Sequence, residues 1–172
     1  MLRISSVWRI MERQGMKGMN TAYSKEPLLA IQKHFAQGEN VKIYPKGTSM
    51  LPLIVEGRDF VILSPLNRTP RKGDVLLYQR ENGLLVLHRL YKLTTNNEYY
   101  FAGDSQTELE GPLSHEQIQA IAVTVGRKNY SFSVKNPIYQ IYTKLWMLLR
   151  RFHPAILRIT GRILKVLRKL FQ

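Results

Sequence analysis

The chain has 172 residues, 44% apolar and 22% charged, a composition that excludes wholesale disorder and suffices for one domain with a core. It contains no cysteine, which excludes disulfides, thiolate catalysis and cysteine metal sites. The net charge of +14 is uneven: counted from the sequence, residues 1–25 carry +4, residues 26–134 carry +1, and residues 135–172 hold nine basic residues and no acidic one. The charge that attracts partners therefore lies at the two ends.

The N-terminal part of the chain predicts one helix. Residues 1–25 have no apolar run of signal-peptide length, and we expect a poorly ordered segment there. Residues 26–37 then predict a helix, because Ser24 is a suitable N-cap, Pro27 suits the first turn and Gly38 ends the pattern.

After this helix the apolar period changes to short β-branched or aromatic runs separated by turn residues, which predicts about seven strands. These runs are residues 41–43, 60–63, 75–78, 84–93, 98–101, 118–125 and 130–134. Ser114 and Gln117 form a capping-box pattern that predicts a short helical turn. The body, residues 26–134, is therefore expected to be a mainly β domain, a small folded-over sheet or barrel.

The last part of the chain predicts basic amphipathic helices over residues 135–172. Helical periodicity runs through residues 138–152, is interrupted at Pro154 and continues to the end. The second helix aligns four basic residues on one face: Arg158, Arg162, Lys165 and Lys169.

This pattern favours contact with an anionic membrane surface through residues 138–172. For residues 138–152, packing against the β body is an equal alternative. The basic residues are not interleaved with aromatic residues on a β platform, so we do not expect nucleic acid as a partner.

Three segments carry side chains suited to hydrolysis. They are Gly47-Thr48-Ser49 before a proline-containing turn, Leu87-His88-Arg89 within an apolar strand, and Gly103-Asp104-Ser105 in a turn. Taken singly, each is more often structural: a turn serine, a satisfied histidine or a common β-turn. Their interpretation depends on their order and context.

In that order the segments resemble the signal peptidases and LexA-like serine peptidases. The stretch 47–59, with Gly47-x-Ser49-Met50-x-Pro52 and Gly57-x-Asp59, resembles the motif that contains the nucleophile. The stretch 71–75 resembles a second motif of the family, in which a Gly-Asp pair begins a strand. Residues 87–89 lie where the family has its general base. That base is Lys in the common bacterial branch but His here, as in the archaeal and endoplasmic-reticulum branch. The stretch 103–106 resembles the Gly-Asp-Asn box of that branch.

The resemblance implies a LexA- or signal-peptidase-like fold and a serine endopeptidase that cleaves a precursor polypeptide bound as an added strand, with no cofactor or metal. Ser49 would be the nucleophile and His88 its general base. Asp104 is the first candidate for the acid that orients His88, and Glu110 is the second. The backbone N–H of Ser49 would be the first donor of the oxyanion hole, and Thr48, which carries a nearby hydroxyl, is the candidate for the second.

The sequence leaves a second function class open. A catalytically inactive relative would use the same fold as a peptide-binding or membrane-surface module. No apolar run is long enough for a transmembrane helix, so we expect a peripheral association with a membrane, at its cytoplasmic face.

Overall fold

The computed structural model describes residues 25–127 and 129–152 together with positions 155, 156 and 159. The predicted N-terminal segment, except Lys25, therefore lies outside the described residues, as does the predicted N-cap Ser24. The basic face predicted for the last helix also lies outside them.

The described chain consists of one helix, a sheet and a second helix. Helix α1 spans Lys25–Ala36 and helix α2 spans Pro137–Leu148, and short 3-10 turns occur at His115–Gln117 and Arg150–Phe152. The strands are β1 (Val41–Ile43), β2 (Asp59–Ser64), β3 (Val75–Gln79), β4 (Leu85–Leu93), β5 (Tyr99–Ala102), β6 (Glu110–Leu113), β7 (Ile118–Arg127) and β8 (Tyr130–Ser133).

All described strands pair in one antiparallel sheet in the order β1-β2-β7-β3-β4-β5-β6, and β8 pairs with β7. The mainly β prediction is confirmed. The barrel alternative is wrong, because β1 and β6 end the path and do not pair with each other to close it. The sequence prediction also missed β6, which falls within a stretch that resembles a turn.

Two apolar clusters form the core of the domain. Alternation along β3 sends Val75 and Leu77 to one cluster, and Leu76 and Tyr78 to the other. Helix α1 contributes to the first cluster, as does α2 through Tyr139. The second cluster is rich in aromatic rings, and it is this cluster that borders the candidate site.

The hairpin β3–β4 determines which side chains meet at that site. Its turn contains Gly83 at φ 86°, a conformation that suits glycine. In the resulting register Leu76 lies opposite His88 and Tyr78 lies opposite Val86. Tyr78 and His88 are thus diagonal neighbours on one face.

Helix α2 packs on the sheet through a narrow polar and aromatic face. Asn136 caps the helix by accepting a hydrogen bond from the N–H of Ile138, 2.8 Å away. The buried positions of the helix are Tyr139, Thr143 and Trp146. Within the described ranges, neither helix has the length and apolar character needed to cross a bilayer.

Candidate active site

Ser49 lies in the loop between β1 and β2, and a short turn around it holds its backbone. The N–H of Leu51 donates to the carbonyl of Thr48 at 3.2 Å, and the N–H of Ile54 donates to that of Met50 at 2.9 Å. Met50 is buried in the core, whereas Ser49 remains half-buried. The loop therefore fixes the serine at the surface by burying its neighbour.

His88 lies on β4 and meets Ser49 across 39 positions of sequence. The Oγ of Ser49 is 3.1 Å from the Nε2 of His88, a hydrogen-bond distance. His88 itself is buried, with 4% of its surface exposed. The structure thus brings together the predicted nucleophile and the predicted base.

The other ring nitrogen of His88 faces a tyrosine that the sequence analysis did not single out. The hydroxyl of Tyr78 lies 3.1 Å from Nδ1 and donates to Oε2 of Glu110 at 2.8 Å. A hydroxyl has one proton, so Tyr78 can only accept from His88 while it donates to Glu110. This places the histidine proton on Nδ1 and leaves the lone pair of Nε2 directed at Ser49.

Glu110 is held in this position by an arginine. The guanidinium of Arg80 donates from Nε to Oε1 at 2.5 Å and from its terminal nitrogen to Oε2 at 2.6 Å. Oε2 also lies 3.9 Å from Nδ1 of His88. The five side chains form a continuous line in the order Ser49, His88, Tyr78, Glu110 and Arg80.

The environment keeps His88 neutral and Glu110 charged. Burial, assisted by the positive charge of Arg80, lowers the pKa of His88 to about 4 against the opposing pull of Glu110. Burial alone would raise the pKa of Glu110, but the hydrogen bonds from Arg80 and Tyr78 outweigh it and lower that pKa. Burial and the neighbouring Glu110 also raise the pKa of Tyr78, so its hydroxyl keeps its proton.

Asp104, the first candidate for the orienting acid, is engaged elsewhere. It is fully buried, and both its carboxylate oxygens accept hydrogen bonds from Arg89 at 2.7 Å. Arg89 follows His88 on β4, so its side chain points to the opposite face. The expectation that Asp104 orients His88 is therefore corrected, because Asp104 is the partner of Arg89. The second candidate, Glu110, is the acid connected to His88.

The Gly103-Asp104-Ser105 turn instead supports the nucleophile loop. The N–H of Ser105 donates to the carbonyl of Ser49 at 2.8 Å, and its hydroxyl lies 2.9 Å from the carbonyl of Thr48. Gly103 passes so close that a Cβ there would lie 2.8 Å from the Cβ of Ser49. The turn at residues 103–105 thus holds the backbone of Ser49 in place through direct contacts.

Helix α2 holds the turn at residues 103–105 in place. The indole N–H of Trp146 donates to the backbone carbonyl of Asp104 at 3.1 Å. Arg89 also donates to the carbonyl of Gly73 at 2.8 Å and to the hydroxyl of Thr143 at 3.3 Å. The buried Arg89–Asp104 pair therefore ties β4, the turn and α2 together.

The remaining residues of the resembling segments have local structural partners. Asp59 is buried and accepts hydrogen bonds from the N–H of Val55, from Arg58 and from Arg127. Asp74 is paired with Arg68 at the entry to β3. Thr48 is exposed beside the nucleophile, and its carbonyl is used by Ser105.

No protein-family model, no curated protein and no solved structure matches this chain.

Proposed function

We propose that this protein is a serine endopeptidase of the signal-peptidase type, which cleaves a peptide bond in a precursor protein. Ser49 acts as nucleophile and His88 as general base. The observation that carries the proposal is the 3.1 Å separation of Ser49 Oγ and His88 Nε2. A working pair needs about 2.6–3.2 Å between these atoms.

The tautomer inferred from the Tyr78 hydrogen bonds suits this chemistry. As Oγ of Ser49 attacks the substrate carbonyl carbon, its proton passes to the lone pair on Nε2 of His88. The same proton then goes to the departing amine, which releases the first product and leaves an acyl-enzyme. Water then attacks the acyl carbon and gives a proton to Nε2. The ester bond to Oγ breaks, the second product leaves as a carboxylic acid, and Nε2 returns the proton to Oγ of Ser49.

Glu110 stabilises the imidazolium that forms at each step. Its carboxylate lies 3.9 Å from Nδ1 and is connected to it through the hydroxyl of Tyr78. The positive charge of Arg80 partly offsets the negative charge of Glu110. Burial of His88 favours the neutral ring before substrate is attacked. The base is therefore ready to accept a proton at neutral pH.

The negative oxygen of the tetrahedral intermediate needs hydrogen-bond donors. The backbone N–H of Ser49 is the first donor in our proposal, because the turn at Ser105 fixes this backbone. Thr48 is exposed next to Ser49 in the chain, and its hydroxyl is our candidate for the second donor.

The proposed substrate class rests on the family resemblance, and the proposed location at a membrane rests on the charge distribution. We infer a precursor polypeptide with small residues at the cut, bound as a strand beside the sheet. We infer further that the enzyme works at a membrane surface on its anionic cytoplasmic side, since residues 135–172 carry nine basic residues and no acidic one.

Replacement of the nucleophile tests the function directly. We expect Ser49→Ala to lower kcat/KM for peptide cleavage by at least about 10³-fold, because the attacking oxygen is gone. The measurement is mass spectrometry of a peptide library incubated with the purified chain. Ser131→Ala, at an exposed position of β8, is the matched control and should cleave like the wild type.

Two results would contradict the proposal. Cleavage by Ser49→Ala at the wild-type rate would exclude Ser49 as the nucleophile. A wild-type chain that binds peptides or vesicles but cleaves nothing would favour the inactive relative, a peptide-binding or membrane-surface module.

A further inference from the structure

Helix α2 has an outward face that is as apolar as its inward one. We use the name apolar stripe for four side chains of α2 that recur at spacings of three and four residues, on the side opposite Tyr139, Thr143 and Trp146. The stripe and its exposed fractions are Ile138 78%, Ile141 65%, Leu145 54% and Leu148 76%. Large apolar side chains exposed singly are ordinary, but a contiguous row marks an interaction surface.

The fold keeps the stripe turned outward. Trp146 is anchored to the carbonyl of Asp104, and Thr143 is anchored to Arg89 inside the protein. A rotation of α2 that buried the stripe would break both hydrogen bonds and leave Arg89 with an unsatisfied donor. The exposed position of the stripe is therefore a property of the packed domain.

The charge around the stripe indicates what covers it. Lys144 lies exposed on its flank, and Lys135 is exposed just before the helix. Residues 135–172 contain no acidic residue to balance these charges. A second copy packed stripe to stripe would bring like charges together, and nucleic acid offers no surface for leucine and isoleucine. An anionic bilayer surface satisfies both the apolar and the basic groups.

We propose that the apolar stripe of α2 docks the protein on an anionic membrane surface, with the helix lying in the plane of the interface. This proposal rests on the membrane location proposed above and names the surface that provides it. Helix α2 has 12 residues and spans only about 18 Å along its axis, so it is too short to cross the bilayer core of about 30 Å. Such a helix buries only its outer face among the lipids.

A vesicle-binding assay on the full chain tests the proposal. The vesicles contain phosphatidylcholine and phosphatidylglycerol in equal parts, and pure phosphatidylcholine vesicles serve as the uncharged reference. We expect the double variant Ile141→Gln/Leu145→Gln to bind the anionic vesicles at least about ten-fold more weakly than the wild type. Leu29→Gln, on the exposed face of α1 with 61% of the side chain accessible, is the matched control and should bind like the wild type.

A site-specific probe gives a second readout. The chain has no cysteine, so Leu148→Cys and Leu29→Cys each provide a single attachment point for a polarity-sensitive fluorophore. Anionic vesicles should shift the emission to the blue only for the label at position 148. High salt should weaken binding, since the basic residues contribute through screened charge.

Each other outcome overturns the proposal. Equal vesicle binding by the wild type and the double variant would show that the stripe is not the docking surface. Absence of wild-type binding would exclude the membrane. Self-association that the double variant abolishes, without any vesicle dependence, would make a second copy the occupant. Cleavage of a soluble peptide, measured in parallel, should be unchanged in the double variant, so a failed peptidase proposal and a failed docking proposal give different results.

Discussion

At the scale of single residues, a tyrosine lies between the base and the acid of the proposed catalytic group. In a direct triad the acid accepts the Nδ1 proton itself. Here the hydroxyl of Tyr78 stands between His88 and Glu110, with 3.1 Å on one side and 2.8 Å on the other. The hydroxyl fixes the ring orientation, and the carboxylate supplies the charge one hydrogen bond further away.

The substitution Tyr78→Phe tests this arrangement. The ring of Tyr78 stacks on Phe101 with centroids 4.6 Å apart, and phenylalanine should preserve that contact. We expect kcat to fall by about 10–10²-fold, because Nδ1 loses its acceptor and the tautomer is no longer fixed. Steady-state kinetics measure the effect, and Tyr99→Phe, which loses only a hydrogen bond to His115, should retain wild-type kcat. An unchanged kcat in Tyr78→Phe would remove the tyrosine from the mechanism.

The pH profile tests the state of the base. Only neutral His88 can accept the proton of Ser49, and its pKa is lowered from 6.5 to about 4. Activity should therefore persist from neutral pH downwards and be lost as the pH falls through about 4. The positive charge of Arg80 contributes to this lowering, so Arg80→Gln should move the acid limb of kcat/KM to higher pH. A wild-type limb near 6.5, with the chain still folded by circular dichroism, would contradict this assignment.

The sequence indicated Ser49 and His88, the proposed nucleophile and base, but not the whole hydrogen-bonded group. Ser49 and His88 were identified through family resemblance, and Glu110 only as a second choice. Tyr78 was missed because a strand tyrosine usually serves the core. The Asn82-Gly83 turn fixes the hairpin register, and that register places Tyr78 diagonally beside His88. Asp104 was misassigned because nothing in the sequence shows that a buried arginine next to the base occupies it.

At the scale of elements, β4 carries both the proposed base, His88, and the buried scaffold residue Arg89. His88 projects from one face toward Ser49, and the next residue, Arg89, projects from the other toward Asp104. The turn that contains Asp104 also binds the carbonyl of Ser49 through Ser105. A strand and a turn thus position Ser49 and His88 relative to each other.

The substitution Asp104→Asn separates a scaffold role from a catalytic one. It leaves the guanidinium of Arg89 buried without its countercharge, and we expect a loss of about 3–5 kcal/mol in the free energy of unfolding. Urea denaturation measures this loss, and Arg89→Met/Asp104→Leu should lose less than the sum of its single changes. At temperatures where Asp104→Asn stays folded, its kcat should remain within about ten-fold of wild type. A far larger fall in kcat with little change in stability would return Asp104 to the catalytic group.

The elements that the sequence failed to predict have identifiable physical causes. The strand β6 contains Gly111 and Pro112, which usually mark a turn, but β6 ends the sheet, and an edge strand tolerates a residue without an N–H.

For α2 the helix itself was predicted, but its periodic apolar residues could equally have faced the core. On the buried face, Tyr139 packs in the first apolar cluster, whereas Thr143 and Trp146 form hydrogen bonds with Arg89 and with the carbonyl of Asp104.

At the scale of the whole molecule, charge and chemistry are divided between regions. The body, residues 26–134, is nearly neutral and holds the proposed catalytic group, whereas the basic excess lies outside it. A protein built this way can attach to an anionic surface without a strong field at the reacting serine. If the proposals above hold, restriction to a surface would limit cleavage to precursors that reach the same membrane.

The close approach of Gly103 to Ser49 bears on any attempt to re-engineer this protein. The two segments touch through their main chains, since even a methyl group at position 103 would collide with the serine. Glycine has no side chain, so a substitution at position 103 cannot adjust the separation of the two segments without displacing one of them. Any set of variants built around Ser49 should therefore keep glycine at position 103, because every other residue adds at least the colliding Cβ.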